Sequence, residues 1–217
     1  MGFLHQILDF FLHLDKHLTE IIQSYGTLTY GILFAIIFCE TGLVVTPFLP
    51  GDSLLFAVGA LSALPDSPLN VILSYLLLTS AALLGDNSNY WIGRFFGPNV
   101  FGKFVNQKHL QRTHEFYEKH GVLTLVIAQF VPIIRTFAPF VAGVGNMTYG
   151  RFVRYNLTGV LLWTTLFTFS GYFFGNLEPV KKNFHYVILG IIVVSLMPII
   201  IEVTKQCLPS SSKSSKK

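Results

Sequence analysis

The chain has 217 residues, of which 52% are hydrophobic and only 12% are charged, whereas about 25% of residues are charged in soluble proteins. The net charge is +4, but the basic residues do not lie in a soluble module with interspersed aromatic residues. The sequence therefore predicts no nucleic acid partner. Two cysteines do not suggest a disulfide framework. The composition therefore predicts a membrane protein.

The first predicted element is an N-terminal helix. Residues 1–26 place apolar side chains at helical spacing among acids and a lysine, which is typical of an amphipathic helix lying on a membrane or on the protein. The membrane domain follows over 27–205. It begins with a predicted span from Thr27 to about Thr46, with Glu40 near its end and facing the protein interior.

The next apolar stretch, 47–64, is interrupted by Pro47, Pro50 and Gly51. Proline breaks a helix, and broken backbone at membrane depth survives only where protein or water covers it. This stretch is therefore predicted to be a re-entrant hairpin. A second span is predicted from Val71 to about Gly97.

The second half repeats this order. A polar linker over 98–121 leads into the apolar stretch 122–146, which Pro132 and Pro139 interrupt, and this stretch is predicted to be the second re-entrant hairpin. Two charge-free runs follow and predict two further spans, Tyr155–Leu177 and a last span within 183–205. Residues 206–217 are predicted to be a disordered basic tail.

The predicted fold is thus an all-α polytopic membrane protein with about four transmembrane helices and two inverted re-entrant helical hairpins. Lysine and arginine supply the orientation. They concentrate in the linker 98–121, around residues 151–154 and in the tail, whereas the predicted outer loops hold only Lys181 and Lys182. By the positive-inside rule, the N- and C-termini are predicted to be cytoplasmic.

An internal repeat is predicted over about 27–97 and 122–175. Phe48-Leu-Pro-Gly-Asp52 recurs loosely as Phe130-Val-Pro-Ile-Ile-Arg135, and Leu83–Gly97 can be laid on Leu161–Gly175, both of which end in Gly-x-Phe-Phe-Gly. Because the two hairpins enter from opposite sides in the predicted topology, the repeats are predicted to be inverted. Such an arrangement places a site near the membrane midplane.

Two acids are candidates for proton coupling. Glu40 and Asp52 are separated by a stretch long enough for a helix end and a turn, so they can meet in a dry site where each raises the other's proton affinity. A simpler reading places Glu40 at the aqueous interface and makes Asp52 the cap of a short helix.

Arg135 is the candidate for binding an anionic head group, since its fork of donors suits phosphate. Thr136 and Ser53 lie next to the two hairpin charges and are assigned to the same phosphate site. The alternative is a buried salt bridge between Arg135 and Asp52 or Glu40, which would need no substrate.

A polar stripe on the second predicted span forms a supporting group, either for substrate contact or for hydrogen bonding between helices. It consists of Asp86, Asn89, Tyr90 and Arg94. The histidines of the linker lack the spacing of a zinc site, and Ser53 lies in a membrane loop rather than in a hydrolase fold. We therefore expect no metal, no cofactor and no enzymatic activity.

These motifs together resemble the bacterial DedA family of inner-membrane proteins. The resemblance rests on Glu40-Thr-Gly-Leu, Pro47-Phe-Leu-Pro-Gly-Asp52-Ser-Leu-Leu, Tyr90-Trp-Ile-Gly-Arg94 and Phe130-Val-Pro-Ile-Ile-Arg135-Thr-Phe-Ala-Pro. The family is similar in its membrane domain to eukaryotic lipid-scramblase relatives. Its functional acids fall on Glu40 and Asp52, and its second-hairpin arginine falls on Arg135.

The resemblance implies a bacterial inner-membrane transporter, a proton-coupled flippase of undecaprenyl phosphate or a related anionic lipid. Its partners would then be a polyprenyl phosphate lipid and protons or another cation, and the sequence leaves homo-oligomerisation open. The family often has a further arginine six residues before Arg135, where this chain has Gln129. Glutamine can donate to phosphate without carrying charge. The alternative function is a non-transporting assembly or envelope-homeostasis factor with a structural bridge between Asp52 and Arg135.

Overall fold

The computed structural model describes residues 20–21, 24–42, 51–65, 67–101, 125–183, 186–187 and 189–191. In this part of the chain every regular element is helical. Its main helices are α1 (Leu28–Gly42), α2 (Gly51–Ser62), α3 (Val71–Phe101), α4 (Pro132–Val144), α5 (Tyr149–Phe174) and the short α6 (Glu178–Lys182). The predictions for 1–26, 98–121, 183–205 and 206–217 lie largely or wholly outside the described residues.

Two helices, α3 and α5, are long and apolar enough to cross a membrane. They provide apolar segments of 25 and 26 residues, over Val71–Phe95 and Tyr149–Phe174, where about 20 residues suffice for a span. These helices lie where the second and third spans were predicted. They run antiparallel, because Thr79 bonds Thr164 at 3.0 Å while Tyr90, further along α3, bonds the backbone just before α5 begins.

Residues 28–42 of the span predicted over Thr27 to about Thr46 form helix α1, and residues 43–46 lie outside the described residues. These 15 residues are about 22 Å long. Helix α1 runs parallel to α3: the Asn70 amide, just before α3, donates to the Tyr30 hydroxyl at 2.8 Å, and Gly42 packs on the Gly85 backbone. The last described residues of α1 thus lie beside the middle of α3.

Helix α2 starts beside the end of α1 and returns. The Gly51 amide at its start donates to Glu40 at 3.3 Å. Near its other end, the Ala60 carbonyl accepts a hydrogen bond from Asn176, just after α5. Because α5 is antiparallel to α3, the end of α2 lies near the beginning of α3.

Helix α4 covers the other half of α3. It begins at Pro132, after the extended residue Val131, and the Thr136 carbonyl near its start accepts a hydrogen bond from Asn89. Beyond its end, the Met147 carbonyl accepts hydrogen bonds from Tyr90 and Arg94. Helix α4 therefore runs parallel to the second half of α3.

Close backbone contact holds α2 against α5. Gly59 of α2 lies on the Thr168 carbonyl, and Gly171 of α5 lies on the Phe56 carbonyl. A Cβ atom at either glycine would overlap the facing backbone. Small residues at such crossings let membrane helices approach closely, which is what stabilises them where lipid offers no hydrophobic driving force.

The pair formed by α3 and α4 has contacts of the same kind. Gly143 of α4 lies on the Tyr90 carbonyl, and Gly93 of α3 lies on the Phe140 carbonyl. Each of these four helices contributes one glycine and one carbonyl to the contact. In every helix the glycine comes three positions after the residue whose carbonyl is contacted. The two pairs are thus built by one pattern of reciprocal glycine contacts.

The buried apolar side chains form two clusters that follow these pairings. The first cluster joins α1, α2, α3 and α5 around Leu55, Leu78 and Trp163. The second joins α3, α4 and the beginning of α5 around Tyr90 and Phe152. The core also contains buried polar residues, and these residues form the candidate site.

Candidate functional site

A buried ion-pair cluster lies where α1, α2 and α4 meet. Arg135 lies in the first turns of α4 and is 1% exposed. One of its terminal nitrogens donates a hydrogen bond to Asp52 at 2.8 Å, and the other donates one to Glu40. Glu40 lies near the end of α1 and Asp52 in the first turn of α2. The cluster therefore contains both acids predicted for proton coupling and the arginine predicted for phosphate binding.

Trp163 of α5 completes this cluster. Its indole Nε1–H donates to the same Asp52 oxygen at 2.7 Å, and the Arg135 guanidinium carbon lies 4.3 Å from its ring centroid. A cation over an indole face is stabilised by the ring quadrupole, more strongly when water is excluded. The sequence-based site omitted Trp163. The signal was available, because a tryptophan inside a charge-free span still needs an acceptor for its N–H.

The start of α2 holds the Glu40 carboxylate through its first backbone amide, that of Gly51. A helix N-terminus carries partial positive charge, which favours an acid at this position. A Cβ atom at Gly51 would displace the Glu40 carboxylate from its present position. Ser53 and Thr136 are both buried beside the ion pairs, at 1% exposure each.

A second polar group lies beside the first. Gln129 donates its side-chain amide to Asp86 at 2.9 Å and to the Asn156 side-chain oxygen at 3.0 Å. All three side chains are buried. The Gln129 side chain, predicted to bind phosphate, is thus bonded to Asp86, whereas its backbone carbonyl accepts from Arg135 at 3.4 Å. Asn156 was missed by the sequence, since a single Asn in an apolar run gives no pattern.

The remaining residues of the predicted polar stripe join helices. Asn89 donates to the carbonyls of Thr41 and Thr136, and so connects α3 to α1 and α4. Arg94 donates to the Tyr90 hydroxyl at 2.7 Å and to the Met147 carbonyl at 3.2 Å. Tyr90 and Arg94 therefore lie away from the Arg135 cluster, at the end of α4.

The two buried polar groups together contain more acids than bases. Glu40, Asp52 and Asp86 carry three negative charges when ionised, against the single positive charge of Arg135. Within the described ranges, no group of three or more His, Cys, Asp and Glu residues could hold a metal ion. Such an excess of buried carboxylates is stabilised by protons, by a monovalent cation or by further hydrogen bonds.

Comparison with known proteins supplies the family. The VTT domain family model matches residues 49–173. The chain is 53% identical to Protein DedA of Escherichia coli (strain K12) over 209 residues, which cover 94% of this chain and 95% of that protein. This chain belongs to the DedA family. The resemblance predicted from its motifs is confirmed.

Two further relatives share lower identity with this chain. A membrane protein of Mycobacterium tuberculosis (strain ATCC 25618 / H37Rv) is 41% identical over 179 residues, which cover 81% of this chain and 78% of that protein. Inner membrane protein YqjA of Escherichia coli (strain K12) is 35% identical over 177 residues, with 79% and 78% covered. No solved structure matches the chain. The chain is therefore a membrane protein of the DedA family.

Proposed function

We propose that this protein is a bacterial inner-membrane flippase, which moves undecaprenyl phosphate or a related anionic lipid across the membrane in exchange for protons and catalyses no covalent reaction. Arg135 binds the phosphate head group, and Glu40 and Asp52 take up and release protons. The observation that carries the proposal is one buried arginine fork held by two acids from two different helices.

The exchange follows from charge balance. In the structure both terminal nitrogens of Arg135 donate to carboxylates. Protonation of Glu40 and Asp52 removes their charge and weakens both ion pairs, so the fork becomes available to a phosphate, which it suits geometrically. Release of the protons restores the carboxylates, which then compete with the phosphate for Arg135.

We further propose that the two broken regions are re-entrant hairpins in an inverted repeat. The helix directions support a first hairpin made of α1 and α2, over 28–62 rather than 47–64, because both helices cover only the first half of α3. Helix α4 would be the returning arm of the second hairpin. The reciprocal glycine contacts, which pair α2 with α5 and α4 with α3, support the repeat.

This hairpin changes the predicted topology at one point. With the linker 98–121 on the cytoplasmic side, the beginning of α1 and residues 67–70 lie at the outer face. Residues 27–46 then do not carry the chain across the membrane. The cytoplasmic N-terminus becomes a prediction about residues 1–26 alone.

Cysteine labelling tests this topology. Single cysteines are introduced at Thr27, Ser67 and Asn146 in a protein whose Cys39 and Cys207 are replaced by serine. We expect an impermeant maleimide added to intact cells to label positions 27 and 67, and to label position 146 only after the membrane is opened. Labelling of position 27 together with position 146 would instead restore the full first span.

A transport assay tests the function. Proteoliposomes with a pH gradient are loaded with a polyprenyl phosphate or with the matching neutral polyprenol. We expect flux of the phosphate alone, and a fall of about tenfold or more in Asp52→Asn and Arg135→Ala, equivalent to about 1.4 kcal/mol or more. Glu178→Gln is the matched control, because Glu178 forms an exposed ion pair with Lys182. Equal phosphate flux in Asp52→Asn and wild type contradicts proton coupling at this acid.

The second candidate is a non-transporting envelope factor in which Arg135 is a permanent structural bridge. The observation that favours it is that Arg135 already has two acids, a backbone carbonyl and an indole face around it. Under this reading wild-type proteoliposomes show no lipid flux above that of protein-free liposomes, although Arg135→Ala still lowers the melting temperature.

A further inference from the structure

We propose that Asp86 is a proton-binding carboxyl group separate from the Arg135 cluster, and that Gln129 keeps it free of a permanent positive partner. The part of this proposal that concerns transport rests on the proposed function. Proton binding itself is a property of the protein without any lipid.

Asp86 differs from the other two acids in its partners. Glu40 and Asp52 each form an ion pair with Arg135. Asp86 is 0% exposed, and no Lys, Arg or His among the described residues lies within ion-pair distance of it. An isolated carboxylate at membrane depth is costly, and a proton removes this cost.

The two oxygens of Asp86 also differ in their hydrogen bonds. Asp86 oxygen Oδ2 accepts from the Gln129 amide, while Oδ1 has no hydrogen-bond partner in the described residues. The side-chain oxygens of Gln129 and Asn89 likewise have none there. A proton on Asp86 adds a donor beside the unpaired side-chain oxygens of Gln129 and Asn89, and so satisfies an oxygen that the carboxylate cannot. Among the described residues of this group, the one unpaired donor already present is the Asn156 side-chain nitrogen.

The identity of residue 129 also matters. An arginine at this position would lie where the Gln129 side chain meets Asp86 and would form a permanent ion pair with it. Glutamine bonds to either protonation state of the acid, because its amide both donates and accepts. The neutral side chain thus allows Asp86 to gain and lose a proton.

The charged groups around Asp86 do not replace that partner. Glu40 on α1 and Asp52 on α2 are negative, and the positive charge of Arg135 on α4 is shared between them. The α5 residue joined to Asp86 through Gln129 is the neutral Asn156. On α3 itself, Arg94 lies two turns further on and bonds Tyr90 and Met147.

Infrared difference spectroscopy on the purified full-length protein tests the proposal without lipid transport. The signal is the carbonyl stretch of a protonated carboxyl group, followed between about pH 5 and about pH 9. We expect wild type to show this band at neutral pH and Asp86→Asn to lose it. Asp52→Asn and the exposed control Glu178→Gln are expected to keep it.

A second variant covers the case in which Asp86→Asn does not fold. Gln129→Arg supplies the missing positive partner, so we expect it to remove the band at neutral pH while the protein keeps its melting temperature or gains. Persistence of the full band in Asp86→Asn, or in a folded Gln129→Arg variant, overturns the proposal.

Sodium ion is the competing occupant, and it has its own result. If wild type shows no protonated carboxyl band, and sodium chloride but not choline chloride raises its melting temperature in an Asp86-dependent manner, the site holds a metal cation and the proton proposal is wrong. The two proposals also fail separately. The band without lipid flux contradicts only the proposed function, and flux without the band contradicts only the role of Asp86.

Discussion

Helix pair α2 and α5 and helix pair α4 and α3 pack in the same way and carry opposite charges. In each pair a short helix starts beside the middle of a long one, and two glycines lie on the facing backbones. The short helices differ in their first turns, where α2 carries Asp52 and α4 carries Arg135. The shared packing therefore provides two equivalent positions, and the side chains alone decide that one holds an acid and the other a base.

The long helices differ as well. In the repeat alignment Trp163 of α5 corresponds to Gly85 of α3. Trp163 covers the Arg135 guanidinium and bonds Asp52, whereas Gly85 has no side chain and lets α1 approach at Gly42. One long helix thus provides a wall of the site, and the other provides room for the helix that carries Glu40. Equivalent backbones thus support different roles in the two halves.

The largest effect on this comparison is expected from Arg135→Ala. Removing the base leaves two buried acids without a positively charged partner, whereas Asp52→Ala leaves Arg135 still paired with Glu40. Breaking a buried pair costs about 3–5 kcal/mol, so we expect Arg135→Ala to lower the free energy of unfolding by at least that amount and Asp52→Ala by less. Unfolding in mixed detergent micelles measures both, and a larger loss in Asp52→Ala would mean that the acid, not the base, organises the site.

A smaller loss is expected from Trp163→Phe. The phenyl ring keeps most of the contact with Arg135, but the hydrogen bond to the charged Asp52 is lost, which is worth about 1.5–3 kcal/mol. Trp91→Phe, on the more exposed face of α3, serves as the control. The same unfolding assay compares them. Equal, small losses in both variants would show that the indole N–H does not stabilise the cluster.

The smallest effects test the shared packing. We expect Gly59→Ala in α2 and Gly143→Ala in α4 to cost similar amounts, about 1–3 kcal/mol each, because either Cβ atom would overlap a backbone carbonyl. Gly31 and Gly150 have open space around the Cβ position. Their alanine variants should be neutral or more stable by about 0.5–1 kcal/mol. A cost in only one helix pair would break the equivalence of the two halves.

Much of the fold was predictable because charge-free length and proline position are local signals. The two long helices lie at the spans predicted over 71–97 and 155–177, and helices begin at Gly51 and Pro132, inside the predicted broken stretches. Residues 28–42 of the span predicted over 27–46 are helical, and residues 43–46 lie outside the described residues. Apolar composition does not fix where this helix lies, whereas the contacts of Tyr30 and Gly42 with α3 do.

The site was predictable to the extent that charge is rare in this chain. Glu40, Asp52 and Arg135 stood out for that reason, and they do lie together. Asn156 did not stand out, because a single amide in an apolar run has no distinctive spacing. Trp163 was missed although its N–H, inside a charge-free span, needs an acceptor. Gln129 was assigned to phosphate through the family resemblance, but its side chain is bonded to Asp86.

The sequence by itself determined that this is an all-helical membrane protein of the DedA family with buried acids and a buried arginine. The reason is that the few charges within apolar stretches and the prolines that interrupt those stretches can be read directly from composition and residue order. Only the tertiary structure decided the partners of those groups. A guanidinium and an amide can each reach several neighbours, and the crossing of α3 with α1, α4 and α5 selects among them. That crossing gives Arg135 two acids and leaves Asp86 with Gln129.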